Sequence, residues 1–274
     1  MTESSRRDEA RSRCRPEILL EGALASDLLG HSLTALCGYN FEKKGRFYGA
    51  MFGLSNGLER VAKLAFILWK IEEKGEPPDN KALKDWSHDV ENLYLKLHEL
   101  NESYDLGVDE SKVSDTLCDE IVKHISNFGC SSRYYNLNSI TGGTRPDDRE
   151  PLAAWDEDIG AELLRRHHRF TKKQKEERAI AEFLENSGGT VVFHTLEDGS
   201  SARDLLTFVR AAQFAKTKQK YSVWYVLCVI EFCVEILRAL DFCRTPTYVY
   251  EHFQLFHTGD RQATLRRKNW DPCR

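Results

Sequence analysis

The sequence lacks several of the short motifs that mark common enzyme classes. It contains no Gly-rich phosphate loop, no HExxH motif and no Cys-x-x-Cys pair. Nucleotide and metallohydrolase chemistry therefore have no motif to support them. From the sequence we expect neither a metal site nor a cofactor.

A long apolar run is missing as well. The most apolar stretch, Tyr221 to Leu240, is interrupted by Glu231 and Glu235, whereas a membrane-spanning helix needs about 20 mainly apolar residues. We predict a buried core helix there and expect no membrane partner. The segment from Met1 to Arg15 has no apolar centre of the kind a signal peptide needs, so residues 1–16 are predicted to be a disordered tail.

The sequence has little excess charge of either sign. It contains 39 Lys and Arg and 43 Asp and Glu, which gives a net charge of -4. This balance creates no overall field that attracts nucleic acid, so nucleic-acid binding would need a local patch. The eight cysteines have no paired spacing, and several fall within apolar helical runs. That usage favours reduced thiols and a cytoplasmic location.

Helical periodicity runs through most of the chain. Apolar residues recur every three or four positions, and 14 Phe, 10 Tyr and 5 Trp can fill a core. We predict an all-α fold, an antiparallel helical bundle elaborated by additional C-terminal helices. Residues 17–274 are predicted to form one helical domain, with a four-helix core at 17–130, a loop at 131–150 and the additional helices at 151–274.

Glycine, proline and capping residues set the predicted helix boundaries. Gly75, Pro77 and Pro78 end the second helix and favour a hairpin with the third. Residues 190–195 are β-branched but have no strand partner that the sequence identifies. The predicted helices cover residues 17–36, 46–73, 81–100, a fourth helix from Asp109 or Ser111 to Gly129, then 152–186, 202–218 and 221–242.

One polar stripe is a candidate site. Ser55, Glu59 and Lys63 are four residues apart, so they share one face of the second helix. The stripe is either a solvated Glu–Lys pair contributing about 0.3–0.5 kcal/mol, or it faces the third helix. In the second case Ser87-His88-Asp89 would bring a group that titrates near neutral pH beside a carboxylate.

The stripe also carries a resemblance to a known family. The segment Gly57-Leu58-Glu59-Arg60-Val61-Ala62-Lys63-Leu64, followed by Ser87-His88-Asp89, resembles the helical HEPN superfamily, in particular abortive-infection-type and uncharacterised bacterial members. The resemblance covers residues 45–100. It implies a bundle of four to five helices, a homodimer, and a role with RNA or a protein partner encoded nearby in bacterial defence or toxin systems.

Many HEPN proteins are metal-independent ribonucleases whose chemistry uses an Arg, then four to six residues, then a His. No Arg of this chain has a His at that spacing. The resemblance therefore implies the fold and an association with RNA, without catalytic residues at the family's positions. The candidate catalytic residues that the sequence leaves are Glu59, Lys63, His88 and Arg133.

Two segments are candidates for nucleic-acid binding. Arg133, Tyr134 and Tyr135 could hold a phosphate and stack on bases, or the tyrosines could pack the loop onto the bundle. A basic stretch from Arg165 to Arg178 could contact successive phosphates, or be a solvated face. Its candidate stripe consists of Arg165, Arg169, Lys172 and Lys173.

Three functions stay open at this point. The first is binding of RNA or of a nucleic-acid-associated partner. The second is a protein-interaction module whose aromatic C-terminal segment docks a partner, without nucleic-acid binding. The third is an atypical metal-independent ribonuclease that uses Arg133 with His88 or His124.

Overall fold

The computed structural model describes residues 3–145, 148–169, 179–180, 182–184, 191–242 and 247–271, with side chains from residue 16 onward except those of 191 and 192. The first half contains helices α1 (Glu3–Leu36), α2 (Lys44–Lys74), α3 (Asn80–Asp85), α4 (Val90–Tyr104) and α5 (Thr116–Cys130). A 3-10 turn, Ser132–Tyr134, then leads into α6 (Tyr135–Thr141).

The second half begins with one continuous helical segment made of α7 (Pro151–Trp155), a π turn (Asp156–Gly160) and α8 (Ala161–His167). Strands β1 (Val191–Thr195) and β2 (Ser201–Asp204) form an antiparallel hairpin. The long helix α9 (Leu205–Asp241), a 3-10 segment (Val249–Phe256) and α10 (Arg261–Thr264) complete the described chain. The all-α class predicted from the sequence is confirmed.

Helix α2 lies at the centre of the bundle and packs against α1, α4, α5, α7 and α9. Its closest neighbour is α1, because two glycines let the backbones approach. A Cβ atom at Gly53 would lie 2.1 Å from the Ser32 hydroxyl, and one at Gly57 would lie 2.7 Å from Leu29. The buried apolar side chains of α1, α2, α4, α5, the α7–α8 segment and α9 form one continuous core.

The third predicted helix, 81–100, is two helices, so that prediction was wrong. Asp79 accepts a hydrogen bond from the Ala82 amide and begins α3, and Asp89 accepts one from Asn92 and begins α4. Ser87 lies between them with φ of 57°. An Asp side chain is more favourable at the start of a helix than in its interior. Here the capping preference of Asp89 decides where the helix begins, although the apolar periodicity continues across it.

Other boundaries also differ from those predicted. Helix α1 begins at Glu3 and includes Pro16, and the segment predicted as a loop contains α6, which ends at Gly142 with φ of 72°. The helices predicted at 202–218 and 221–242 are the single helix α9, because no glycine or proline separates them. The strand at 191–195 does have a partner, β2.

Within the described ranges, no helix combines the length and the apolar character that crossing a membrane requires. The described cysteines Cys37, Cys118, Cys130, Cys228 and Cys233 are free thiols, and all but Cys130 are buried.

Candidate functional site

Within the polar stripe of α2, Glu59 faces the start of α4, as one of the two sequence alternatives required, whereas Ser55 is buried and donates its hydroxyl to the Phe52 carbonyl of its own helix. Glu59 Oε1 lies 2.9 Å from Lys63 Nζ and 2.8 Å from His88 Nδ1. Asp89 accepts a hydrogen bond of 2.8 Å from the Ser126 hydroxyl of α5, which fixes the α3–α4 junction beside the stripe. The side chains of Glu59 and Lys63 are each 18% exposed and that of His88 is 82% exposed, so His88 hydrogen-bonds from the surface to a partly buried Glu–Lys pair.

Two of the four residues of the predicted basic stripe, Arg165 and Arg169, lie in the described part of the chain. Arg165 makes two hydrogen bonds of 2.6 Å to Glu162, which neutralises it locally. Arg169 is exposed at the end of its described segment. Lys172 and Lys173 lie outside the described residues. Because α8 ends at His167, Arg165 and Arg169 do not share one helix face, and the rest of the basic stripe stays a prediction.

The aromatic C-terminal segment is packed into the protein. The side chains of Val249, Phe253 and Phe256 are buried, and the 3-10 segment that carries them contacts α1 and α9. Ser26 of α1 donates a hydrogen bond of 2.6 Å to the His252 carbonyl. The rings of Phe253 and Phe256 therefore fill the core, whereas Tyr248 is 42% exposed and Tyr250 packs against the exposed ring of Phe242, with centroids 4.8 Å apart.

A cleft of about 460 Å³ opens beside the segment predicted as a loop. Helix α5 forms one wall, the segment around α6 forms the second, and the start of the α7–α8 segment forms the third. Polar and titratable side chains predominate in its lining. They include Glu120, Lys123, His124, Asn127, Ser131, Tyr135, Asn138, Arg145, Asp148, Arg149 and Asp158.

An ion-pair cluster forms the floor of this cleft. Asp158 lies 3.0 Å from His124 Nε2 and 2.8 Å from Arg149 Nη1, and Arg149 also contacts Glu157 at 2.6 Å. Burial alone would raise the pKa of Asp158, but hydrogen bonds and charge from Arg149 and His124 lower it below its usual value. Asp158 is therefore an anion at neutral pH.

His124 stands between this cluster and the core. Its ring packs edge-on against Trp155, with centroids 5.8 Å apart. Burial lowers the pKa of His124 below 6.5, and the opposing effect of Asp158 is smaller. The imidazole is therefore neutral at pH 7, donating from Nε2 to Asp158 and leaving Nδ1 as an acceptor.

The π turn explains how Asp158 reaches the cleft. The Ala161 amide donates to the Asp156 carbonyl, five residues earlier, so the turn holds one residue more than a regular α-helical turn. Asp156 points toward α9, where it pairs with Lys218, while Asp158 points toward α5. Such single-turn π segments are rare and often occur at functional sites.

A tyrosine of α2 holds the cleft's outer wall. Tyr48 donates its hydroxyl proton to Glu150, and Asn136 of α6 donates to the same hydroxyl oxygen at 3.2 Å. The other carboxylate oxygen of Glu150 accepts from the Ala153 amide at 2.7 Å and caps α7. Burial is the larger cause that raises the pKa of Tyr48, and the Glu150 carboxylate is the next. The hydroxyl therefore stays protonated and links Asn136 of α6 to Glu150 at the start of α7.

Arg133 lies next to the cleft without lining it. Its guanidinium stands over the Tyr134 ring, 4.9 Å from the centroid, and both side chains are exposed. Tyr135 lines the cleft. Among the described residues, no carboxylate pairs with the guanidinium of Arg133 or Arg145, whereas Lys123 and Arg149 both have acidic partners.

Sequence reasoning found Tyr135 and His124 but missed Arg145, Arg149 and Asp158. The sequence predicts a regular helix over 152–186, and its periodicity does not reveal the π turn. The polar composition of residues 131–150 predicts a loop and does not reveal that α6 forms one wall of the cleft. The two arginines Arg145 and Arg149, four residues apart just before the Pro151 helix start, were the available signal.

Lowering the pH below 6.5 should reduce stability, and His124 should account for part of the loss. Because its folded-state pKa lies below 6.5, the unfolded chain binds more protons there, and stability decreases as pH falls toward the folded pKa. Urea unfolding at a series of pH values on both sides of 6.5 measures this. His124→Gln should flatten the dependence.

His167 adds a contribution of the same sign, since burial lowers its pKa too. The double variant with His167→Gln should therefore flatten the dependence further. An unchanged pH slope in His124→Gln would contradict the buried neutral imidazole.

In the described part of the chain, no group of three or more His, Cys, Asp or Glu side chains is arranged to hold a metal ion. No protein-family model, no curated protein and no solved structure matches this chain.

Proposed function

We propose that this protein binds single-stranded RNA in the cleft between α5, α6 and the α7–α8 segment. The observation that carries the proposal is the position of Tyr135 in a cleft that also contains Arg145, Arg149 and Lys123. An aromatic ring beside cations is the combination that binds unpaired nucleotides, because bases stack on the ring and phosphates pair with the cations.

The charges of the cleft fit a ligand that carries a few phosphates. Arg145 offers a guanidinium without a carboxylate partner among the described residues, and Arg133 offers another next to the cleft. Arg149 is already paired with Asp158 and Glu157. These ion pairs fix the position of its guanidinium and weaken its attraction for phosphate. Three acidic side chains, Glu120, Asp148 and Asp158, equal the three cations of the lining in number, so the proposal requires modest affinity with stacking as a main contribution.

The polar groups of the cleft support RNA within this class. Ser131, Asn127 and Asn138 line the same cavity and supply donors and acceptors for base edges and for the ribose 2′-hydroxyl. The cleft volume of about 460 Å³ suits single nucleotides that are splayed out of an unpaired strand. An RNA duplex would instead be recognised across its wide, shallow minor groove.

Arg145→Ala should weaken binding of a labelled single-stranded RNA by about tenfold. A hydrogen bond to a charged group contributes roughly 1.5–3 kcal/mol, and about 1.4 kcal/mol corresponds to a factor of ten. Fluorescence anisotropy at several salt concentrations measures the affinity. The plot of log affinity against log salt should also become less steep, by the amount that corresponds to about one phosphate contact.

Three further variants make this test specific. Tyr135→Ala should also lose about tenfold in affinity, whereas Tyr135→Phe should retain it, because stacking needs the ring and not the hydroxyl. Arg203→Ala removes an exposed arginine of β2 that does not line the cleft and should bind as the unmodified chain does. Equal losses in Arg145→Ala and Arg203→Ala would refute a site in the cleft.

A ribonuclease is the second candidate, and His124 is the observation in its favour. A neutral imidazole oriented by Asp158 inside the proposed RNA site has the features of a general base. Gel analysis of RNA recovered from the binding assay separates the candidates. Intact RNA supports binding alone, whereas shortened RNA with the unmodified chain but not with His124→Gln supports cleavage.

The HEPN resemblance adds expectations to the proposal. They are a homodimer, a protein partner encoded nearby, and a role in bacterial defence or toxin systems. The cysteine usage adds the expectation of a cytoplasmic location. The four- to five-helix bundle of that superfamily is the corresponding expectation for the fold, and the contacts of α1, α2, α4, α5 and α9 support it.

A further inference from the structure

A pocket with two adjoining lobes lies between α9 and the 3-10 segment. The lobes measure about 390 and 290 Å³, and both are lined by Glu231, Glu235, Arg238 and His257. The loop after α4 contributes a further wall to the smaller lobe. We call this cavity the α9 pocket, defined by the four shared residues. None of its lining residues also lines the cleft beside α5.

Aromatic side chains form much of the apolar wall of the larger lobe. Phe253 and Phe256 are buried at its base, whereas Tyr250 is only partly buried. The Tyr250 ring packs against Phe242, with centroids 4.8 Å apart. An accessible aromatic ring attracts an organic cation through its π face, so Tyr250 offers a surface for one.

Two carboxylates of α9 line the pocket from consecutive turns. Glu231 and Glu235 are four residues apart and therefore share one face of the helix. Their side chains are only 8% and 23% exposed. Like charges at this spacing repel each other, and a cation placed between the two carboxylates would relieve the repulsion.

Glu231 is held in place as an anion. Its Oε2 accepts from Lys112 Nζ at 2.9 Å and from the Thr258 hydroxyl, and its Oε1 accepts from the Thr258 amide at 2.9 Å. Burial is the largest single influence and would raise the pKa of Glu231, but hydrogen bonds from Thr258 and Lys112 together lower it below its usual value. The pocket therefore contains an oriented negative charge.

Glu235 has one carboxylate oxygen that can accept from a ligand. Arg238 binds only its Oε2, at 2.6 and 2.8 Å. His257 Nδ1 approaches Oε1 to 3.8 Å, which is too long for a hydrogen bond. The same nitrogen lies 3.3 Å from Glu231 Oε1, and the His257 side chain is 68% exposed. This imidazole therefore stands where a donor from solution would reach both carboxylates.

The charges of the pocket select the kind of ligand. Two carboxylates, Glu231 and Glu235, face one guanidinium, Arg238, in the larger lobe, and the smaller lobe adds one charge of each sign. This excess of carboxylates disfavours an anion. The described side chains form no metal-binding group, whereas an ammonium carries three N–H donors and can donate to both Oε1 atoms.

We propose that the α9 pocket binds a small organic cation, a primary ammonium group carried on an apolar or aromatic body. The ammonium displaces the His257 imidazole and donates to Glu231 and Glu235. The apolar body lies in the larger lobe against Tyr250.

This site is separate from the proposed RNA site. The two cavities share no lining residue, and the carboxylates of the α9 pocket would repel phosphate. Binding of the cation therefore does not depend on whether the cleft binds RNA.

Isothermal titration of the full chain with 2-phenylethylamine tests the proposal, and 2-phenylethanol is the matched uncharged probe. We expect saturable binding of the amine and about tenfold weaker binding of the alcohol, because charge-assisted hydrogen bonds are the stronger kind. Absence of saturable amine binding would overturn the proposal. Equal binding of the two probes would also overturn it, because it would identify an apolar pocket without a cation site.

Substitutions at three positions locate the bound cation. Glu235→Gln should weaken amine binding by about tenfold. Glu251→Gln removes an exposed carboxylate of the 3-10 segment that lines neither lobe and should leave binding unchanged. His257→Ala should strengthen binding, because it removes the donor that competes with the ammonium. Equal losses in Glu235→Gln and Glu251→Gln, or weaker binding in His257→Ala, would overturn the proposed site.

Discussion

Replacing Lys218 with methionine should reduce the free energy of unfolding by about 3–5 kcal/mol, as expected when one member of a buried ion pair is removed. Lys218 is 7% exposed and donates to Asp156. It also stabilises the anionic form of Glu197, whose pKa is nonetheless raised by burial. Methionine fills a similar volume, so the loss should come from two carboxylates left without their cation. Urea unfolding measures the difference.

Two further variants identify the cause. Lys216→Met changes an exposed lysine of the same helix and should leave stability within about 0.5 kcal/mol of the unmodified chain. Adding Asp156→Asn to Lys218→Met removes one of the uncompensated charges and should recover part of the loss. If Lys218→Met and Lys216→Met were equally stable, the buried ion pair would not exist as described.

Truncating Trp155 to alanine should be comparably destabilising, by about 3–5 kcal/mol. The indole is fully buried and packs against Phe47 and His124 at centroid distances of 5.7 and 5.8 Å. Its removal leaves a cavity between the core and the cleft floor. Under conditions where the variant remains folded, RNA affinity should fall as well, because His124 and Asp158 lose their support. Urea unfolding and RNA anisotropy measure the two effects.

Trp86→Ala is the matched control. Its ring is only partly buried, against Phe66 at 5.3 Å, so its loss should cost less stability and should leave RNA affinity unchanged. Equal effects of the two substitutions on RNA binding would mean that Trp155 acts through general stability alone.

Apolar periodicity predicted the helices that form the core. Helix α2 differs from its predicted range by two residues at its start and one at its end, because Leu54, Leu58, Val61 and their neighbours repeat at helical spacing over a long stretch. The contact between Glu59 and His88 was one of the two alternatives for the stripe on α2, because an antiparallel hairpin can bring it against the residues before α4. Local pattern was sufficient for α2 and left the contact open.

The cleft could not be predicted in the same way, because it depends on deviations from regular helix. Asp158 reaches His124 through a π turn, which sequence periodicity does not distinguish from an α-helical turn. The wall around Tyr135 exists because Tyr48 joins Asn136 and Glu150, three residues that lie far apart in the chain. Contacts of this kind are set by tertiary packing, which overrides local propensity.

Photo-cross-linking tests the central claim, that single-stranded RNA binds in the cleft, most directly. A 4-thiouridine-containing RNA is irradiated with the full chain, and the attached peptides are identified by mass spectrometry. We predict attachment at Tyr135 or Tyr134, reduced in Arg145→Ala. Attachment confined to the segment around Arg165 and Arg169, or unchanged in Arg145→Ala, would contradict the claim.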